Sequence, residues 1–192
     1  MKIYDISQEV FSSAVYPGDP APEKQILASM KNGDVYNLTG LSMCAHNGTH
    51  VDAPFHFLGE GRSVEQIPLD AFVGECYVAR HRGNVTSADA RMILQNAKGV
   101  PRILIGGQAT VTEEAAAVFA DARISLLGNE SQTVGPEDAP MQVHKLLLSK
   151  DVVLLEGVVL TDVAEGFYFL SAAPLCLAGA DGAPCRAYLI ER

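Results

Sequence analysis

The sequence predicts an α/β fold with a mixed, partly parallel sheet, and three observations carry that expectation. Residues Ile124–Leu127 and Val152–Leu155 are apolar runs, as strands covered on both faces read. Strand and helix patterns alternate through residues 102–155, the order of parallel strands joined by right-handed helical crossovers. Three segments carry helix signals, at Ser87–Ala97, from Thr112 to Ala122 and at Ala139–Lys150.

From the N-terminus, Lys2–Ser7 alternates apolar and polar residues, as a half-buried strand does. Tyr16-Pro17-Gly18-Asp19-Pro20 follows as a turn-rich loop. Tyr36–Met43 alternates again and leads into a histidine-rich segment, after which Glu75–Arg80 and Arg102–Ile105 are short strands. Thr86 and Asp89 have the spacing of a capping box ahead of the first helix. Glu113 and Glu114 put acids in the first turn of the second, where the helix dipole favours them. Val143, Leu146 and Leu147 recur at helical spacing in the third. Phe167–Leu177 is a further apolar run, and Cys185–Ile190 returns as a strand after the turn Ala180–Pro184.

At 192 residues, with no repeat, low-complexity tract or long linker, one domain spanning 1–192 is expected. A net charge of −9 disfavours nucleic acid and anionic membranes, which both select clustered Lys and Arg. The four cysteines are scattered, a pattern of reduced thiols, with Cys176 and Cys185 expected in the core. No apolar run approaches the roughly 20 residues that span a bilayer. The chain begins directly as a strand without a signal-peptide core, so the cytoplasm is the expected location.

Residues 46–56 hold three of the five histidines, His46, His50 and His56, together with Asp52. Imidazole and carboxylate are the usual ligands of a catalytic divalent metal. Gly48 and Pro54 exclude a regular helix, so the segment reads as a tight loop entering extended chain, in which His50 and Asp52 share a face. An unusual backbone angle at Gly48 would fold His46 back to the same point. A lone histidine is more often a hydrogen-bonded side chain than a ligand, but this grouping of His46, His50 and Asp52 favours metal. His56 could be a fourth ligand, a packing residue beside Phe55 and Phe57, or an acid/base group; titration near neutrality favours the last. Two distant residues complete the set. By itself His144 reads as a surface residue of the third helix, while Glu156 ends an apolar strand where a carboxylate is costly unless paired. Asp19, Glu60, Asp70, Asp162 and Asp181 read as solvated loop acids, and His81 as a surface strand end.

The pattern His46-x-Gly48-Thr49-His50-x-Asp52-x-Pro54-x-His56 resembles the signature of the metal-dependent cyclase family, best known for bacterial kynurenine formamidases. Tyr16-Pro17-Gly18-Asp19, the spacing of His144 and Glu156, and Ala180–Pro184 followed by Arg186 extend the resemblance over nearly the whole chain. It implies a swivelling β/β/α fold and a homodimer or larger assembly. It also implies that His46, His50 and Asp52 bind one ion, that Asp52 bridges to a second held by His144 and Glu156, and that His56 is the general acid/base. Zinc is the metal it implies first; manganese is the alternative, from the related isatin hydrolases. Gly128–Thr133, the short loop Gly106–Ala109 and Gly157-Val158 depart from the family pattern, which bears on the substrate. With no tryptophan, aromatic stacking falls to Tyr16, Phe55, Phe57 or Phe72, with Tyr16 and Phe57 foremost. The function expected is a metal-dependent hydrolase of a C–N bond in a small amide, with N-formyl-kynurenine first through the resemblance. An isatin-like cyclic amide hydrolase, a metal-dependent lyase or cyclase, and a non-catalytic binding protein are the alternatives.

Overall fold

The computed structural model describes residues 1–191. The strands are β1 (Lys2–Asp5), β2 (Glu23–Ala28), β3 (Leu38–Ser42), β4 (His50–Asp52), β5 (Val73–Arg80), β6 (Gly83–Val85), β7 (Arg102–Gly106), β8 (Ala109–Val111), β9 (Leu126–Asn129), β10 (Val153–Glu156), β11 (Gly166–Ser171), β12 (Gly182–Pro184) and β13 (Tyr188–Glu191). The helices are α1 (Ser87–Ala97), α2 (Glu113–Asp121) and α3 (Met141–Leu148). Nine strands form one sheet in the order β1-β13-β11-β5-β7-β9-β10-β4-β12. Its centre, β5-β7-β9-β10, is parallel, and antiparallel strands flank it on both sides. The α/β class with a mixed, partly parallel sheet is therefore borne out.

The central strands are mostly apolar because both of their faces are covered. Tyr77, Ala79, Ile103, Ile105, Leu127 and Leu154 face a core shared with α1, α2 and α3. Their neighbours Cys76, Val78, Leu104, Leu126, Val153 and Leu155 face a second core, with Ile6, Phe72 and Leu189. The alternation is the two-residue period of a strand. The capping box of α1 forms as expected: Thr86 N donates to Asp89 Oδ2 at 2.9 Å, and Asp89 N donates back to Thr86 Oγ1 at 3.3 Å.

Several expectations are corrected. The run Phe167–Leu177 is a strand only to Ser171; beyond it Leu175 and Leu177 are exposed, and so is Cys176, which is not a core residue. The terminal strand starts at Tyr188 rather than Cys185, because residues 182–184 pair separately with β4 as β12. The alternating segment Tyr36–Met43 joins no half-buried strand of the main sheet; β3 pairs only with β2, in a ribbon whose Ile26, Leu27 and Leu41 are exposed. His56 lies in the 3-10 turn Pro54–His56 instead of continuing the extended segment, since the chain turns at Pro54. No helix is long and apolar enough to cross a membrane among the described residues.

Candidate active site

Strand register gathers the site. In the antiparallel pair β10/β4, Glu156 lies opposite His50 and Leu154 opposite Asp52, so these four side chains share one face of the sheet. Leu154 shows which face it is, the one covered by the helices. There α3 presents His144 from its buried side, beside Val143 and Leu147. Thr49 clamps the start of β4 to the end of β10: its hydroxyl donates to Gly157 O at 2.6 Å and accepts from Gln8 N at 2.9 Å. Gly48 takes φ +68°, the left-handed angle that returns His46 toward Asp52.

Asp52 is fully buried, and His50, His144 and Glu156 are each 2% exposed. His50 Nδ1 donates to Gly48 O at 3.0 Å, and His144 Nδ1 donates to Pro140 O at 2.9 Å. Both rings therefore turn Nε2 inward. His50 Nε2 lies 3.4 Å from Asp52 Oδ1 and 3.5 Å from Glu156 Oε2. His144 Nε2 lies 3.2 Å from Glu156 Oε1 and 3.4 Å from Asp52 Oδ2. Val134 N donates to Glu156 Oε1 at 2.7 Å and fixes that carboxylate. On the open side His46 Nδ1 meets Asp52 Oδ1 at 2.9 Å, while His46 Nε2 and His56 Nδ1 meet Asp181 Oδ2 at 2.8 Å and 2.9 Å.

Burial works against charge on His144, yet Asp52 and Glu156 push its pKa up to about 10. Burial likewise opposes charge on His50, and the same two carboxylates raise it well above the ordinary imidazole value. Burial would lift Asp52, but the imidazoles of His144, His46 and His50 hold its carboxyl well below the usual range.

The donor set fits a divalent cation. Asp52 Oδ2 is buried and accepts no hydrogen bond, an expensive state for a carboxylate oxygen. His50, Asp52 and Glu156 offer ligand atoms within 4.8 Å of one another, and so do His46, Asp52 and His56. The two Nδ1–H···O=C bonds are the outer contacts that orient metal-binding imidazoles. Nitrogen and carboxylate donors of this kind take zinc, manganese or iron.

The cluster opens into a cavity of about 220 Å³ lined by Tyr16, Asp19, His46, His50, His56, Phe57, Gln132, Thr133, Pro140, His144 and Glu156. Phe57 packs edge-on to His56, with ring centroids 4.5 Å apart, and against His144 at 4.8 Å. Two loops meet at the cavity wall: Tyr16 Oη donates to Glu137 O at 2.7 Å, and Gln132 Nε2 donates to Ala14 O.

Comparison with known proteins places this architecture. The family profile described as “Putative cyclase” matches residues 4–136, more than half of the chain. The chain belongs to the cyclase family. This cyclase-family chain is 35% identical to the kynurenine formamidase of Salinibacter ruber over 206 aligned residues, covering 98% of this chain and 97% of that protein. A solved structure named as a potential metal-dependent hydrolase with cyclase activity matches with a TM-score of 0.85 at 29% identity, covering 100% of this chain and 98% of that one. Isatin hydrolase A from Labrenzia aggregata, solved with benzyl benzoate bound, matches with a TM-score of 0.82 at 20% identity, covering 100% and 94%. At that identity the likeness concerns the fold alone.

In this cyclase-family fold the predicted residues His46, His50, Asp52, His56, His144 and Glu156 come together, and Tyr16 and Phe57 line the cavity beside them. His144 is no surface residue. Phe72 belongs to the second core, and Phe55 lies outside the cavity lining, so neither can stack on a ligand there. The expectation of simple solvation is wrong for two acids: Asp19 lines the cavity and Asp181 bonds two histidines. Asp181 was hidden in a Gly/Ala/Pro turn; its only sequence signal was the C-terminal motif itself. Thr49 as a clamp and Thr133 as a cavity-lining hydroxyl also escaped reading from residue type alone.

Proposed function

We propose that this chain hydrolyses the formyl amide of a small arylformamide, with N-formyl-kynurenine the foremost substrate. At the coarser level it is a metal-dependent hydrolase of C–N bonds other than peptide bonds, a reading supported by relatives named kynurenine formamidase at 31–35% identity and by the neighbour named as a potential metal-dependent hydrolase. One observation carries the reading: a buried His/Asp/His/Glu cluster opens into a small cavity that also holds the partly exposed imidazole of His56.

In this reading His46, His50 and Asp52 hold one ion, and His144 and Glu156, with Asp52 shared, hold a second where two bind. Zinc is the foremost metal and manganese the alternative. When bound, the cation supplies Lewis acidity, polarising the amide carbonyl and bringing the pKa of water toward 7. His56 stands in the cavity wall with Nδ1 held by Asp181, so Nε2 is the atom that takes up a proton and passes it to the departing nitrogen. Phe57 and Tyr16 flank the aryl ring. The loops bridged by Tyr16 and Gln132 narrow the mouth and limit bulk water. Exposed apolar side chains on the β2–β3 ribbon support a homodimer, which light scattering tests directly.

The test is elemental analysis of the purified protein, then an amide panel with zinc, manganese or iron restored. N-formyl-kynurenine, isatin and simple anilides are assayed in ¹⁸O-labelled water. The expected result is metal-dependent turnover of the formamide with label in the released formate. Turnover without label in the product would reassign the chain to lyase or cyclase chemistry. Turnover of isatin alone would move the substrate to cyclic amides.

A further inference from the structure

We propose that Asp181 is a positioning residue whose Oδ2 sets the tautomer of His56. The proposal rests on the reading above for the role of His56. A carboxylate oxygen only accepts, and a neutral imidazole carries one N–H, so the nitrogen of His56 that faces Asp181 is the protonated one. His56 therefore carries its proton on Nδ1, 2.9 Å from Asp181 Oδ2, and its Nε2 is left as a lone pair for proton transfer. His46 meets the same oxygen through Nε2 at 2.8 Å and Asp52 Oδ1 through Nδ1 at 2.9 Å, a carboxylate at each nitrogen. One carboxylate thus couples a proposed ion ligand to the proposed acid/base group, and the two rings it joins lie 4.1 Å apart between centroids.

The fold builds this contact deliberately. Edge strand β12 pairs with β4 so that Gly182 lies opposite Asp52, and Ala53 N donates to Asp181 O at 2.9 Å. Val64 N donates to Ala180 O at 2.9 Å on the other side of Asp181. A Cβ at position 182 would stand 2.5 Å from Val51 O and 2.9 Å from His46 Cε1, so only glycine lets the strand bring Asp181 this near the ring. A half-exposed ion pair that served stability alone would contribute little, about 0–1 kcal/mol.

The experiment compares zinc-loaded, ¹⁵N-histidine-labelled wild type with Asp181→Ala, reading ring tautomers from long-range ¹H–¹⁵N spectra without substrate. His56 is expected as a single Nδ1–H tautomer in the wild type and as a mixture in the variant. On N-formyl-kynurenine at saturating zinc, kcat is expected to fall roughly 10–100-fold, the usual cost of losing such an outer partner, with KM within about twofold. In a His56→Ala background the same substitution is expected to change kcat by less than about twofold, since the partner it acts through is gone. An unchanged His56 tautomer in Asp181→Ala, or an equal loss in both backgrounds, overturns the proposal. Should the alanine variant fail to fold, the wild-type spectrum decides: His56 found as the Nε2–H tautomer, or as a mixture of the two, also overturns it. Absence of turnover in the wild type would sink the substrate assignment while leaving the tautomer measurement to decide this inference alone.

Discussion

At the scale of single residues, the site is a problem of buried charge. Asp52 and Glu156 lie side by side with His50 and His144, and each imidazole is already committed at Nδ1 to a backbone carbonyl. Removing one member leaves the others uncompensated in a low-dielectric interior. His144→Ala is therefore expected to lose metal on dialysis and also to destabilise the chelator-treated protein by about 3–5 kcal/mol, the usual cost of breaking a buried pair. Urea denaturation with chelator present checks the second part; a loss below about 1 kcal/mol would mean the cluster is not electrostatically coupled. Most of these residues were legible in the sequence because ligand chemistry restricts residue type and residues 46–52 hold His46, His50 and Asp52 within seven positions. Asp181 was not legible: an aspartate before Gly-Ala-Pro looks like any turn acid until pairing across β4 shows what it faces.

At the scale of elements, what the sequence reveals depends on how much local chemistry an element carries. Helix α1 was readable to the residue, since Thr86 and Asp89 supply both halves of a capping box. α3 has no side-chain cap, and its bounds contract from 139–150 to Met141–Leu148. The central strands announce themselves through runs rich in apolar residues. β6, β8 and β12 are three residues long and too short for any period to show. The difference gives a contrast to measure. Thr86→Ala removes the acceptor for Asp89 N and is expected to cost about 1 kcal/mol. Because α1 supplies no residue to the site, kcat and KM should stay at wild-type values while the urea midpoint falls. A matching loss of activity would show that α1 carries strain into the parallel strands it covers.

At the scale of the molecule, the same cluster ties global stability to pH and to metal. Each imidazole raised above its unfolded value of about 6.5 contributes stability that is complete below that pH and fades as pH climbs through the folded value. For His144 that folded value is about 10, and His50 shifts in the same direction. Asp52 shifts the opposite way, so its contribution is present above about pH 4 and lost as acid approaches its depressed folded value. The metal-free protein should thus be most stable in mildly acidic solution and weaken between pH 6.5 and 10. A bound cation takes over from the ring protons, and its affinity grows as pH rises because those protons must leave first. Metal should therefore flatten or reverse the alkaline decline. Each kcal/mol lost lowers Tm by roughly 2–4 °C in a chain of this size, so thermal melts at pH 6, 8 and 10, with chelator and with zinc, resolve the effect. Two parallel curves would break the proposed link between fold and metal; curves that diverge upward in pH would establish that the protons and the ion compete for the same four side chains.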